Sequence, residues 1–326
     1  MMHFMRKTCR HQTGLTLVEL MVALAIGSFL MIGALQIYNQ SRHAFVINES
    51  IARVQETAQF AMDTIEADLR MASNWGRNSR SLAVEGRSIL GDPNPNGLPA
   101  PTDCGADWAL NLALPIDGDN NIYALPCAPT GDAQLNSDVV TVRRASVAPV
   151  PLEAGRLQIQ TTRVQGQLFS NGLIPSSFSA TDSATHNLIV NSYYVSQTSD
   201  LIPNTPTLRR KTLTMVAGVP VIQDLEIAPG VENIQLQFGI DVNNDNAVDR
   251  YVNPGDPIYN PAAAGYIPGA RVLTVRVWLL VRGINIEPGI QDSRNYQPGD
   301  VVLGIQNDNY RRMQVSKTIL LRNART

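Results

Sequence analysis

The sequence predicts an α+β protein in which one long N-terminal helix precedes a body made mostly of antiparallel β-strands. Between Leu15 and Arg70 the chain has no proline, and its apolar residues form first an unbroken run and then a pattern with helical spacing. Beyond residue 136, short runs rich in β-branched and aromatic residues alternate with Gly, Pro, Asn and Ser. A helix followed by many strands is typical of α+β folds.

The first part of the helix is long enough to cross a membrane. The apolar run covers residues 15–38 and contains one charged residue, Glu19. At about 1.5 Å per residue such a helix spans roughly 36 Å, and a hydrocarbon core is about 30 Å thick. Arg6, Lys7 and Arg10 precede the run, which predicts a cytoplasmic N-terminus and an exported body. Because a carboxylate in such a segment costs free energy unless it has a partner, Glu19 is expected to have a specific role.

Three common kinds of N-terminal segment fit this run less well. A cleaved secretory signal would have a shorter apolar run and a cleavage site at its far end. A lipoprotein signal needs a cysteine after the run, whereas Cys9 precedes it. A plain single-pass anchor agrees with the length but does not account for Glu19.

The stretch GLTLVELM, residues 14–21, resembles the N-terminal signal of type IV pilins and pseudopilins. In that family a prepilin peptidase removes a short basic leader that ends in Gly, and the mature chain keeps the apolar helix. The resemblance implies that residues 1–14 are a cleaved leader, that the cut separates Gly14 from Leu15, and that Glu19 is the fifth mature residue. It also implies that Glu19 pairs with the terminal amine of a neighbouring subunit during assembly. Leu15 stands where Phe or Met is commoner, so its N-methylation is an inference only.

Residues 39–76 are predicted to form the amphipathic half of the same helix. Their apolar side chains recur every three or four residues and should pack on the body, at Ile47, Ile51, Val54, Ala58, Ala61, Ile65 and Leu69. The opposite, polar face is predicted to carry Glu49, Arg53, Glu56, Asp63, Glu66, Asp68 and Arg70. The helix is expected to end near Ser73–Gly76, with Gly76 as the C-cap.

Residues 77–136 read as a loop-rich region with one covalent restraint. Since Cys9 would leave with the leader, Cys104 and Cys127 remain as an even pair in an exported body, which predicts a disulfide. Two free thiols are the alternative.

Residues 137–326 are predicted to form the β-sheet-rich body. Strand-like runs lie at residues 137–146, 156–163, 187–197, 207–217, 231–241, 270–283 and 313–323. The basic groups in two of these runs, Arg143–Arg144 and Arg209–Lys211, are too short for a nucleic-acid site and are predicted to be solvated. The net charge of −2 also gives no general attraction to nucleic acid.

The end of the chain is similar to PilW-type minor pilins in the runs FGIDVNNDNAVDRYV (238–252), VRVWLLVRG (275–283) and YRRMQVSKTILLRN (310–323). The resemblance implies a type IV pilin-like fold and a structural minor pilin that primes pilus assembly and lies at or near the filament tip. Two alternatives stay open: a minor pseudopilin of a type II secretion system, and a membrane-anchored periplasmic enzyme or adhesin. An enzyme is not expected, because the sequence has no Walker loop, GxSxG elbow, HExxH or CxxC pair.

The resemblance also implies where the protein works and what it contacts. Its expected partners are other minor pilins, the major pilin, the prepilin peptidase, the inner-membrane assembly platform and, in many cases, a large tip adhesin. The chain is expected in the bacterial inner membrane, with one membrane-spanning segment and a periplasmic body, and later at the pilus tip.

One loop has the oxygen spacing of a calcium site, although no cofactor is expected to be required. Ligands at alternate positions would come from Asp241, Asn243, Asp245, the Ala247 carbonyl and Asp249. However, Asn246 replaces the usual turn glycine, and Val252 stands where an EF-hand has Glu. An Asx-rich turn between strands, without metal, is the alternative.

Overall fold

The computed structural model describes residues 14, 16–88, 96–99, 101, 104–287 and 289–324. Most of the expected leader, residues 1–13, and the predicted new terminus Leu15 lie outside these residues. The chain divides into two units, Met1–Ser50 and Ile51–Thr326.

One helix, α1, runs from Leu17 to Leu69 over 53 residues. By length and composition it could cross a membrane, with a mean hydropathy of 2.2 in its most apolar window. The expected end near Ser73–Gly76 is wrong. Short turns follow Leu69, with the Ala72 N–H bonded to the Leu69 carbonyl, and Ser73 takes a left-handed conformation at φ 63°.

Within the second unit, α1 packs on the body through the predicted apolar stripe from Val54 onward. Val54, Ala58, Ala61, Ile65 and Leu69 are all buried. The predicted polar face is wrong in two places, because Glu66 and Asp68 are also buried, where the body supplies partners for them. Helical spacing gives the direction of a side chain but not what the facing sheet offers it.

Among the described residues, eight strands form the larger sheet of the body. Along the chain they are β1 Val84–Glu85, β2 Ile116–Asp119, β3 Val139–Ala145, β4 Gln158–Thr161, β5 Gly166–Phe169, β6 Ala184–Ser196, β7 Thr207–Val216 and β8 Val219–Pro229. A short helix, α2 Gly105–Leu110, lies between β1 and β2 along the chain. The strand order is β1-β5-β4-β6-β3-β2, and the β7–β8 hairpin joins through β6. All pairs are antiparallel except β1 with β5. The predicted loop region therefore contributes α2, β1 and β2.

A smaller sheet has four antiparallel strands in the order β10-β9-β11-β14. The four strands are β9 Val231–Asp241, β10 Arg250–Val252, β11 Arg271–Arg282 and β14 Arg312–Leu320. A separate two-stranded ribbon consists of β12 Asn295–Tyr296 and β13 Gly304–Ile305. Short 3₁₀ turns lie at Ser81–Ala83, Pro257–Tyr259 and Arg322–Ala324. Gly230 (φ 94°) lies between β8 of the larger sheet and β9 of the smaller sheet. A Cβ at this position would lie 2.6 Å from the Arg282 carbonyl oxygen, which is why the residue is glycine.

Two clusters of buried apolar side chains stabilise the body. The first joins the buried face of α1 to the smaller sheet and to parts of β2, β3 and β6. The second contains Trp75, Trp108 and both disulfide cysteines, and packs on β4, β5 and β6. The predicted α+β class, with a long helix and a mostly antiparallel body, is confirmed.

Candidate assembly site

Glu19 closes a capping box at the start of α1. Its Oε2 accepts hydrogen bonds from the backbone N and the Oγ1 of Thr16, both at 2.9 Å. The Glu19 N–H donates back to Thr16 Oγ1 at 3.3 Å. This reciprocal pair satisfies donors that the first turn of a helix leaves open. The T-x-x-E spacing was present in the sequence but was not used in the prediction.

The capping box leaves one carboxylate oxygen of Glu19 without a partner. Oε1 accepts no hydrogen bond from the residues that the structure describes. Both Thr16 and Glu19 follow the expected cut after Gly14, so the box does not depend on the leader. A single chain thus uses one oxygen of the Glu19 carboxylate in the capping box, and the other oxygen stays available to a partner.

An apolar surface surrounds this carboxylate along the first half of α1. Leu17 is 74% exposed and Phe29 is 76% exposed, and none of the most apolar window is buried. Soluble monomers rarely expose contiguous apolar surface of this kind. The surface therefore requires lipid or other helices as neighbours.

The predicted processing position is accessible where the structure describes it. Gly14 is exposed, and no atom lies within 4 Å of the position that a Cβ would take. Leu15, the other half of the expected cleavage site, lies outside the described residues.

On the body, buried Asp68 fastens the C-terminal end of α1 to the larger sheet. It accepts hydrogen bonds from Arg144 Nη2 at 2.7 Å, Asn191 Nδ2 at 2.6 Å and Tyr193 Oη at 2.5 Å. Burial, and then the charge of Asp68, raises the pKa of the Tyr193 hydroxyl. The phenol therefore keeps its proton and donates a hydrogen bond to the carboxylate. Nearby, Lys317 of β14 pairs with Glu66.

The prediction that the basic groups are ordinary solvated positions is wrong. Arg143 is buried and donates to the backbone carbonyls of Trp108 and Leu114. Arg209 and Lys211 are also buried, and both pair with Asp224, at 2.9 and 2.8 Å. Asp224 lies on β8, a strand that the prediction missed, and so its role as counter-ion was missed as well.

Cys104 and Cys127 form a disulfide with a Cα–Cα distance of 4.3 Å. Both cysteines are buried, and the bond joins the residue before α2 to the segment that precedes β3. The Tyr123 hydroxyl donates to the Cys127 carbonyl at 2.6 Å and supports the same segment.

In the proposed calcium loop, hydrogen bonds already occupy the first carboxylate. The oxygens of fully buried Asp241 accept from the backbone N–H groups of Asn243, Asn244 and Asn246, and from Arg271 Nη2 at 3.1 Å. Burial alone would raise the pKa of Asp241, but these hydrogen bonds lower it.

In the rest of the loop, the carboxylates also accept hydrogen bonds from backbone N–H groups. The Asp245 carboxylate accepts the Ala247 N–H at 2.7 Å, and the Asp249 carboxylate accepts the Val242 N–H at 2.8 Å. Within the described ranges, no three His, Cys, Asp or Glu side chains are grouped so that they could hold a metal ion. These contacts describe an Asx-rich turn, and calcium binding stays a prediction that requires Arg271 to release Asp241.

Two protein-family models match parts of the chain. The prokaryotic N-terminal methylation motif covers residues 9–35, and Type IV Pilus-assembly protein W covers residues 192–323. Among solved structures, a type IV-like pilin from Thermus thermophilus is similar at 14% identity, over 61% of this chain and 82% of that chain, with a TM-score of 0.29. No curated protein sequence matches the chain.

Proposed function

We propose that this chain, whose residues 192–323 match the Type IV Pilus-assembly protein W model and whose residues 9–35 match the N-terminal methylation motif, is a structural minor pilin of the PilW type. It helps to prime assembly of the type IV pilus and lies at or near the filament tip. A single N-terminal helix anchors it in the membrane.

In this proposal the prepilin peptidase cuts between Gly14 and Leu15 on the cytoplasmic side, and the body is periplasmic. The anchored chain then joins other minor pilins on the inner-membrane assembly platform and contacts the major pilin, and often a large adhesin, at the tip. It catalyses no reaction, binds no nucleic acid and requires no cofactor.

The arrangement of Glu19 carries the proposal. One oxygen closes the capping box with Thr16, while the other has no partner among the described residues of a helix whose first half exposes apolar side chains. A buried carboxylate that lacks a cation is strongly penalised, whereas a paired one can set register between subunits. The terminal amine of a neighbouring processed chain supplies such a cation.

Glu19→Gln separates the capping role from the pairing role. Glutamine is also accepted in a capping box, so this variant should keep the helix start and insert normally. Because it carries no charge, it should fail to support piliation, as should Glu19→Ala. Wild-type numbers of surface pili from Glu19→Gln would refute charge pairing and leave Glu19 as a cap only. Thr16→Val is the matched control that removes the cap and keeps the charge.

Processing is tested by Gly14→Ala. In a strain with the prepilin peptidase, this variant should migrate more slowly than the wild type, because its leader stays attached. A wild-type band of the same size with and without the peptidase would show that no cut occurs. Gly27→Ala, inside α1, controls for the substitution itself.

Deletion of the gene distinguishes a pilus from a type II secretion system. Loss of surface pili and twitching with normal exoprotein release is the expected result. Blocked exoprotein release with normal twitching would assign the chain to the secretion system instead.

A further inference from the structure

β14 forms one edge of the smaller sheet. Beyond Arg312, whose carbonyl accepts from Arg294 Nη2 at 2.8 Å, the outward backbone groups of β14 have no partner among the described residues. The Gly283 N–H bonds to the Arg311 carbonyl, and the Leu321 N–H bonds to the Leu273 carbonyl. Because bonded and non-bonded pairs alternate along an antiparallel ladder, Val315 and Lys317 bond to β11. The residues between bonded pairs direct their N–H and C=O groups away from β11, at Gln314, Ser316 and Thr318.

β14 lacks two of the features that usually prevent strand addition, a proline and a register break, and its one lysine, Lys317, is held by Glu66. Gln314, Ser316 and Thr318 are exposed, and β14 contains no proline and no break in its register with β11. β8, the long edge strand of the larger sheet, differs: Pro220 and Pro229 lie near its two ends, and its pairing with β7 has a register shift. Natural sheets protect edges with prolines and irregularities of that kind. Of these two long edge strands, β14 is therefore the one open to pairing.

A groove runs beside this edge, between α1 and β14. Its volume is about 680 Å³, and it is lined by Gln55, Glu56, Ala58, Gln59, Met62, Met313, Val315, Ser316 and Lys317. An added strand would direct every second side chain toward such a groove and would pair its backbone with β14. Lys317 is paired with Glu66, whereas Glu56 has no cationic partner within the described part of the chain. The groove thus favours a strand with apolar side chains and one basic side chain on that face.

The direction of α1 argues against antiparallel pairing of β14 with β14 of a second copy. Glu66 contacts Lys317, and just past the ends of α1 and β14 the Ala72 carbonyl accepts from Asn323 Nδ2, so this part of α1 and β14 run the same way. Antiparallel pairing of two identical edges would make the two α1 segments run in opposite directions. In the proposed filament the bodies of all subunits share one orientation, so two copies do not meet that way.

We propose that the outer edge of β14 and the groove beside it bind an edge strand of a different anchored pilin. This inference rests on the proposed function, since it takes the partner to be a pilin in the same membrane. The partner strand extends the smaller sheet and places a Lys or Arg near Glu56.

Ser316→Pro in the full-length, detergent-solubilised chain tests the edge. It removes an outward N–H while leaving the bonds to β11 in place, a position where sheets tolerate proline. Each tagged minor pilin of the same pilus is used as the probe, one at a time. Recovery of one of them with the chain should fall at least tenfold relative to the wild type, with Ser316→Ala unchanged. Undiminished recovery with every probe would overturn the proposal.

Photo-cross-linking gives a second test that does not depend on a proline substitution. A benzoyl-phenylalanine at position 318 should cross-link to an edge strand of another pilin, and one at position 225 on β8 should not. No cross-link at 318, equal cross-linking at 225, or a product joining two copies of this chain would overturn the inference. If both of these tests contradict the proposal while Glu19→Gln still abolishes pili, β14 is not the docking edge and the minor-pilin function stands. Normal pili from both Glu19→Gln and Gly14→Ala would instead refute the function.

Discussion

Replacing Asp68 with Asn should destabilise the body, because it removes the negative partner of a nearly buried ion pair. The side chains of Asp68 and Arg144 are 7% and 15% exposed, and their closest atoms are 2.7 Å apart. The same carboxylate accepts from Asn191 and Tyr193. Asparagine brings an NH₂ group where two donors already point, so at least one hydrogen bond is lost.

The expected cost is about 2–4 kcal/mol of the free energy of unfolding. Breaking a buried ion pair from one side costs about 3–5 kcal/mol, and the residual exposure of Arg144 lets water offset part of that. For a body of this size, a loss of this order lowers the melting temperature by roughly 5–10 °C. Asp63→Asn, at an exposed position on the same helix, should change stability by no more than about 0.5 kcal/mol.

Urea unfolding of the solubilised protein, followed by the fluorescence of buried Trp75 and Trp108, measures both variants. A double-mutant cycle with Arg144→Met adds a second criterion. The double variant should be less destabilised than the sum of the single variants, since it leaves no unpaired charge. If Asp68→Asn unfolds at the same urea concentration as Asp63→Asn, Asp68 does not fasten α1 to the sheet.

Three further predictions concern the body. Cys104→Ser/Cys127→Ser should lose about 3 kcal/mol of stability, measured by calorimetry under oxidising conditions, and a wild-type melting temperature would show that the loop needs no restraint. Burial raises the pKa of Asp138 to about 7, so the folded state holds a proton that the unfolded state releases. The contribution of Asp138 to stability is therefore present below about pH 4 and is lost as the pH rises to about 7. The free energy of unfolding falls by at most about 1.4 kcal/mol per pH unit in this range. Urea unfolding measured from about pH 4 to 7 should show this fall for the wild type and not for Asp138→Asn. If the 241–249 loop binds Ca²⁺, calorimetric titration should show that Arg271→Gln binds Ca²⁺ at least tenfold more tightly than the wild type and that Asp241→Ala does not bind it. If neither variant nor the wild type gives a heat of binding, the loop is an Asx-rich turn without metal.

Periodicity predicted the regular elements well and failed where charges interrupt it. β9 occupies the predicted residues 231–241, because its alternation is uninterrupted. β8 was missed, since two prolines bound it and Asp224 and Glu226 break its apolar pattern. In the sheet these acids face Lys211 and Arg209 across the β7–β8 ladder. A pair of opposite charges on adjacent strands is stable when formed, but neither partner is recognisable from its own run alone.

The same limit applies to the polar residues of α1. A helical wheel placed Asp68 among the solvated residues, and nothing in its local sequence distinguishes it from Asp63. The distinction comes from Arg144, Asn191 and Tyr193, which are far away in sequence and meet Asp68 only after β3 and β6 pair. Side-chain burial of this kind depends on tertiary contacts that local spacing does not encode.

At Glu19 the sequence and the structure lead to complementary conclusions. The resemblance to pilins implied a partner on another subunit, whereas the structure gives the carboxylate a local partner in Thr16. These roles do not compete, because the capping box uses one oxygen and leaves the other open. Capping alone would be met by Gln, which is neutral and costs less in an apolar segment. A carboxylate at this position is accounted for if a cation arrives, and under the proposed function that cation is the amine created by the cut after Gly14.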